Sequence, residues 1–230
     1  MDWHTKTAEH TLQKLQSSKS GLTNEEAKKR LILYGPNELK ETVKRTHLQM
    51  LLDQFKDFMI IVLVVAAIIS GMLGEVADTI AIIVIVVINA VIGFIQEYRA
   101  EKAMAALKKL AAPFATVIRD NHRENIPIAE IVPGDLVSIE AGNSIPADMR
   151  LIEVAQLKVE EAALTGESVP IEKHTDVIDD EMAALGDRKN MLYKGTFTSY
   201  GRGIGVVVAT GMETELGKIA SMLQDAENTK

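Results

Sequence analysis

Residues 79–95 read T-I-A-I-I-V-I-V-V-I-N-A-V-I-G-F-I, a run of seventeen residues without a charged side chain, bounded by Asp78 and Glu97. The run is apolar on all sides, which separates it from an amphipathic surface helix. An earlier run of the same length, Phe58 to Gly74, is bounded by Asp57 and Glu75. As a helix, each would reach about 25 Å, the short end of what spans a bilayer. Runs this short also suit buried core helices, so the flanks have to decide. The linker at 71–78, G-M-L-G-E-V-A-D, holds no Lys or Arg, whereas both outer flanks are basic. The pair therefore reads as a two-helix transmembrane hairpin with both chain ends cytoplasmic and residues 71–78 outside. The first 56 residues are polar and no cleavage pattern follows the first apolar run, which excludes a secretory signal.

Within residues 57–111, Ala67 and Gly71, then Ser70 and Gly74, are spaced to let two helices approach closely. Asn89 reads as an interhelical hydrogen-bonding group rather than an ion ligand. Beyond Ile95 the helical spacing persists in Ala100, Ala103, Met104, Leu107 and Leu110, interleaved with Glu101, Lys102, Lys108 and Lys109. The second helix should thus continue as a cytoplasmic stalk up to Pro113.

Charge divides the chain. Residues 1–56 carry a net +3, while residues 112–230 hold twenty acidic side chains against eleven basic ones. An acidic domain with few aromatic residues lacks the positive field that gathers nucleic-acid phosphates. The absence of cysteine rules out a disulfide framework, a thiolate metal site and a thiol nucleophile. The five histidines are scattered without metal-ligand spacing. In the leader, residues 1–56, Thr23 with Glu26 predicts a capping box that opens a helix. Ala27, Leu31 and Tyr34 would lie on its inner face, and Gly35-Pro36-Asn37 would end it.

From residue 112 to 230 the texture becomes short β-like runs broken by turns. T-V-I-R ends at D-N-H-R; L-V-S-I-E follows P-G-D at 133–135; M-R-L-I-E-V follows P-A-D at 146–148. G-T-F-T-S-Y, G-R-G and I-G-V-V-V-A-T predict a hairpin with a three-residue loop. Such a pattern argues for a β-sandwich or a distorted jelly roll. A closing helix would place Leu216, Ile219, Ala220 and Leu223 on one face. The sequence reads as part of a longer chain.

The stretch L-T-G-E-S-V-P at 164–170 carries the chemistry. Gly166 removes a side chain that would block approach to a ligand. Thr165 and Ser168 offer hydroxyls, and Glu167 offers a carboxylate able to orient an attacking water. Phosphoryl transfer rests mainly on positioning and charge stabilisation, so a water-positioning carboxylate suits it. A carboxylate alone repels phosphate, so another element must supply positive charge and the phosphorylated group. No Gly-rich phosphate loop opens a helix here. On the residues alone, a plain polar turn stays open beside the catalytic reading.

P-G-D-L-V at 133–137, I-P-A-D-M-R-L at 145–151, L-T-G-E-S-V-P at 164–170, N-M-L-Y-K-G-T at 190–196 and T-G-M-E-T-E-L-G-K-I at 210–219 occur in this order. Together they resemble the actuator domain of P-type cation-transporting ATPases. G-P-N-E-L at 35–39 resembles the N-terminal segment of these pumps. I-N-A-V-I-G-F-I-Q-E-Y-R-A-E-K at 88–102 is similar to their second transmembrane helix, above all in calcium pumps. The resemblance implies an integral membrane protein, in the cell membrane, that passes through an aspartyl-phosphate. Glu167 would position the hydrolytic water, Gly166 would allow the approach, and Thr165 and Ser168 would brace the loop. It also implies ATP and Mg²⁺ as requirements of the full-length pump, neither bound by this part. The implied partners are the pump's own phosphorylation and nucleotide-binding domains, the lipid bilayer and a transported cation, Ca²⁺ being favoured. The family's phosphorylated D-K-T-G-T is not in these residues.

Two departures touch the pattern. V-E-E-A-A-L stands where the family often has Asp and Ser before the T-G-E-S; Glu160 keeps the charge and Ala162 lacks a hydroxyl. Asn143 stands where an Asp commonly follows the glycine. A non-enzymatic membrane-anchored β-domain that binds or regulates another protein is the alternative reading.

Overall fold

The computed structural model describes residues 2–39, 46–110 and 113–228, with side chains omitted at 105–110 and 227–228. It divides into two compact units, Met1–Lys40 with Pro113–Lys230, and Glu41–Ala112. The leader up to Lys40 thus belongs to the same unit as the β-rich domain.

In the first unit, α1 (Ala8–Lys14) and α2 (Asn24–Tyr34) precede the strands. These are β1 (Phe114–Arg119), β2 (His122–Pro127), β3 (Leu136–Glu140) and β4 (Asp148–Glu160). The single turn α6 (Ala162–Thr165), β5 (Ile171–Glu172), β6 (Met191–Leu192), β7 (Phe197–Ala209) and the helix α7 (Glu215–Asn228) follow. The named strands pair antiparallel, in the order β2-β1-β3-β7-β4-β5, with β6 also on β4, and Leu22 adds an isolated parallel bridge to Arg119. Asp120 and Asn121 both take positive φ, which makes the two-residue turn that joins β1 to β2. Inward residues from six strands, among them Val117, Ile126, Val137, Met149, Leu157, Leu192 and Val207, meet in one core cluster. The sheet must curve over itself to bring them together. Register shifts along β4 supply the bends.

The expected hairpin at 195–210 is not formed. β7 runs unbroken from Phe197 to Ala209 along β3 and β4. Its glycines serve close backbone approach instead of a turn. A Cβ on Gly201, at φ +77°, would lie 2.2 Å from the Gln156 carbonyl oxygen, and one on Gly203 would lie 2.8 Å from that of Glu153. Gln156 itself sits at φ +52°, in the bulge of β4 that β7 passes.

Thr23 caps α2 as expected, its hydroxyl accepting from the Glu26 N–H. The reciprocal half of the capping box is absent, because the Glu26 carboxylate turns to Arg30 at 2.9 Å. Ala27 and Leu31 pack with Leu22 and Val132, while Tyr34 is exposed. Leu12 packs with Leu136 and Val206, so α1 also contributes to the domain's interior. α7 forms as expected, yet Ile219 and Leu223 remain exposed.

The second unit contains α3 (His47–Gln54), α4 (Phe58–Met72) and α5 (Val76–Leu110). α5 is continuous from the apolar run into the stalk, and its Val76–Met104 portion is long and apolar enough to cross a membrane. α4 has 15 residues, about 22 Å, and passes the same test only jointly with α3, from which it is bent by 63°. The first expected run thus forms as one unbroken helix, but it is too short to pass the length test alone. Ile60, Ala67 and Ser70 on α4, with Val86 and Ala90 on α5, are the buried positions of the pair. Of the four small residues, Ala67 and Ser70 are buried in this pair, while Gly71 and Gly74 are exposed. Asn89 is exposed, so the expected interhelical bond is not made. Leu107 and Leu110 of the stalk face lie outside the described side chains.

Candidate functional site

β4 and β5 pair through Lys158 with Glu172 and Val159 with Ile171. The chain leaves the sheet at Glu161 and returns at Ile171, and the T-G-E-S turn is the tip of that excursion. The turn of α6 closes with the Thr165 N–H on the Glu161 carbonyl at 2.9 Å and the Gly166 N–H on that of Ala162 at 3.0 Å. Gly166 ends it in the left-handed region, φ +77° and ψ −2°. A Cβ there would meet nothing within 4 Å. The backbone conformation favours glycine here, and the space above it stays open for an incoming group.

Thr165 is the brace. Its Oγ1 donates to the Glu161 carbonyl at 3.1 Å and accepts from the Glu167 N–H at 3.3 Å. Its methyl faces Gly186, where an added Cβ would approach to 3.3 Å. Residues 166–170, including Glu167 and Ser168, are exposed. Ser168 makes no side-chain hydrogen bond among the described residues, so the two expected hydroxyl braces reduce to one in this geometry. The tip presents a solvated carboxylate, free to meet something outside these residues.

Beneath the tip lies a group that the motif did not reveal. Glu161 and Lys173 form an ion pair whose side chains are both fully buried. Burial pushes the Glu161 carboxyl up and the Lys173 ammonium down, and each partner opposes the shift of the other. Glu160, whose charge stood out in the sequence, is exposed. The signal was present as inward alternation through Leu157, Val159 and Glu161, which puts a carboxylate in a core row.

The other motifs act at a distance from the tip. Asp135 of P-G-D takes a bidentate Arg119 guanidinium at 2.8 and 2.7 Å in the interior. Asp148 of P-A-D accepts from the Lys194 N–H at 2.9 Å and the Glu215 N–H at 2.7 Å, where α7 begins. Burial outweighs these donors and pushes its pKa up to about 6. Asn37 of G-P-N-E-L accepts at Oδ1 from the Gly211 N–H (2.9 Å) and the Lys194 ammonium (2.7 Å). Its amide donates to the Ile128 and Pro146 carbonyls. Asn143 closes the turn after β3, its Oδ1 accepting from the Glu140 N–H at 3.0 Å. These motifs are the joints of the domain, and T-G-E-S is the part left reaching outward.

The sequence family described as the P-type ATPase actuator domain matches residues 109–224, half of the chain. This chain belongs to the P-type ATPases. The N-terminal domain of cation transporter ATPases matches residues 3–70. Relatives include "Calcium-transporting ATPase 1" of Bacillus cereus, 49% identical over 99% of this chain and 26% of that protein. The "Calcium-transporting ATPase" of Bacillus subtilis is 50% identical over 91% of this chain and 24% of its own length. In Listeria monocytogenes a "Calcium-transporting ATPase" is 44% identical over 99% of this chain and 26% of its own. The chain spans about a quarter of the length of these curated relatives. As a P-type ATPase part, it pairs an actuator-type β domain with a helix of membrane-spanning length.

Proposed function

We propose that this chain is the N-terminal part of an ATP-driven cation pump, in which Glu167 positions the water that hydrolyses an aspartyl-phosphate carried elsewhere in the pump. The observation that carries the reading is the exposed Glu167 on a left-handed glycine turn, its amide held by Thr165 and the space over Gly166 open. An exposed carboxylate on a braced, open turn can enter a site that another domain supplies. There it orients water and draws off its proton as the oxygen attacks phosphorus. Thr165 and Gly166 hold and admit the group; Ser168 is free to donate to an anionic oxygen on arrival.

The tip itself carries no cationic side chain, so it does not fit a nucleotide phosphate. ATP and its Mg²⁺ are assigned to the remaining three quarters of the pump. Calcium is the proposed cargo, supported by the names of the relatives from Bacillus and Listeria. α5, and α4 with α3, are proposed to cross the cell membrane, with both chain ends on the cytoplasmic side as the basic flanks favour.

The test is Glu167→Gln in the full-length pump. Phosphoenzyme should still form from ATP, and its decay should slow by roughly a hundredfold, the scale of a lost general base. Decay at the unaltered rate would refute the assignment.

A further inference from the structure

Glu161 and Lys173 lie under the T-G-E-S excursion, one at its first residue and the other just past β5. Their neighbours Glu160 and Glu172 are exposed, so the chain turns a carboxylate inward where it leaves the sheet and an ammonium inward where it returns, keeping a carboxylate outside at each point. Apart from their mutual contact, Glu161 Oε1 and Oε2 and Lys173 Nζ have no hydrogen-bond partner among the described residues. A buried ion pair of this kind is a poor source of stability, since a well-packed apolar pair of similar volume is commonly as stable or more so. What two charges provide and two methylenes do not is a directional contact between fixed atoms.

We propose that the Glu161–Lys173 pair is a clasp that sets the position of Glu167, making both members positioning residues for dephosphorylation. This rests on the role proposed above for Glu167. The connection runs through bonded atoms. The ion pair fixes Glu161; the Glu161 carbonyl accepts from the Leu164 and Thr165 amides and from the Thr165 hydroxyl. That hydroxyl then accepts the Glu167 amide. Beyond Gly166 no packing steadies the tip, because residues 166–170 are exposed. The base of the excursion is therefore the part that aims it. A displacement of about 1 Å at a reacting group can cost a hundredfold in rate, so the aim matters even where stability does not.

The experiment measures decay of phosphoenzyme already formed in the full-length pump, a rate that unfolded molecules do not enter. The double variant Glu161→Met/Lys173→Met should melt at or above the unaltered temperature, yet its phosphoenzyme should decay at least tenfold more slowly. Decay at the unaltered rate overturns the clasp. Should the double variant fail to accumulate, two single substitutions decide. Lys173→Arg, which keeps a cation in reach, should decay faster than Lys173→Met; Glu161→Asp, which keeps the charge but shortens the tether, should be slow. Equal rates for Lys173→Arg and Lys173→Met overturn the proposal, as does normal decay in Glu161→Asp. Glu167→Gln is run beside them: if it alone decays slowly, only the clasp falls, and if it decays normally, the reading beneath falls with it.

Discussion

At the scale of single residues, the domain concentrates its electrostatic tension in Asp148. Its carboxylate accepts two backbone amides, but burial dominates and holds its pKa near 6, above the 3.8 expected of a free Asp. A raised folded-state pKa means that the folded domain takes up the proton more readily than the unfolded chain. The stabilisation is complete below about pH 4 and is lost as pH rises through about 6. Relative to Asp148→Asn, the unaltered protein should therefore gain about 2 kcal/mol between pH 7 and pH 4. Urea unfolding of both proteins across that window checks the sign. A relative loss of stability on acidification would show that the two amides outweigh burial. Asp148 was legible in the sequence as part of P-A-D, but its partners were not. Glu215 lies 67 residues away in the chain and Lys194 lies 46 away, and no periodicity links such positions. Lys173 lies only 12 residues from Glu161 but on the far side of the excursion, so no local pattern paired them either, whereas Glu167 was legible because Thr, Gly and Glu act within one turn.

Among the elements, strands and helices were legible wherever one face is buried, because alternation and helical spacing record burial directly. α5 was readable for a different reason, a long run without charge followed by helical spacing in the stalk. The misreading fell on Gly201 and Gly203, where glycine serves two opposite purposes with one composition. A turn needs the positive φ of glycine, and so does a strand that presses its backbone against a bulge in its neighbour. Gly201 combines both demands, since φ is +77° and Gln156 blocks the side-chain direction. Gly201→Val should accordingly destabilise the first unit by more than about 2 kcal/mol. Native-state hydrogen exchange at the Val206 and Val207 amides, deep in β7, measures the global opening. Protection unchanged from the unaltered protein would restore the hairpin interpretation. α4 was legible as an apolar run opening after Asp57, but its bend from α3 was not, because Lys56 and Asp57 look like the ordinary charged boundary of a span.

For the molecule as a whole, the leader is a working part of the β-rich unit. The His4 carbonyl takes the Asn190 amide at 2.8 Å, and the Arg150 guanidinium, fully buried, donates to the Lys6 carbonyl. Asn37 extends this attachment to four further points on the domain. Asn37→Ala would strand the Gly211 amide and two carbonyls, costing about 3 kcal/mol. The same exchange measurement at Val206 should register that loss across the sheet, not at the leader alone. Protection lost only in residues 2–39 would instead make the leader a separable appendage.

Because Asn37 and Gly211 stand 174 residues apart, their bond also has a timetable. Synthesis at about 5–20 residues per second separates the two by roughly ten to thirty seconds. Both apolar runs are made within that interval, and the leader lacks its last fastening until Gly211 emerges. Its polar surface, with the net positive charge of residues 1–56, keeps it dissolved while it waits. The domain is thus closed by its oldest residues meeting some of its youngest, and a ribosome that stalls between them leaves a nascent chain with two apolar runs and an unfastened head.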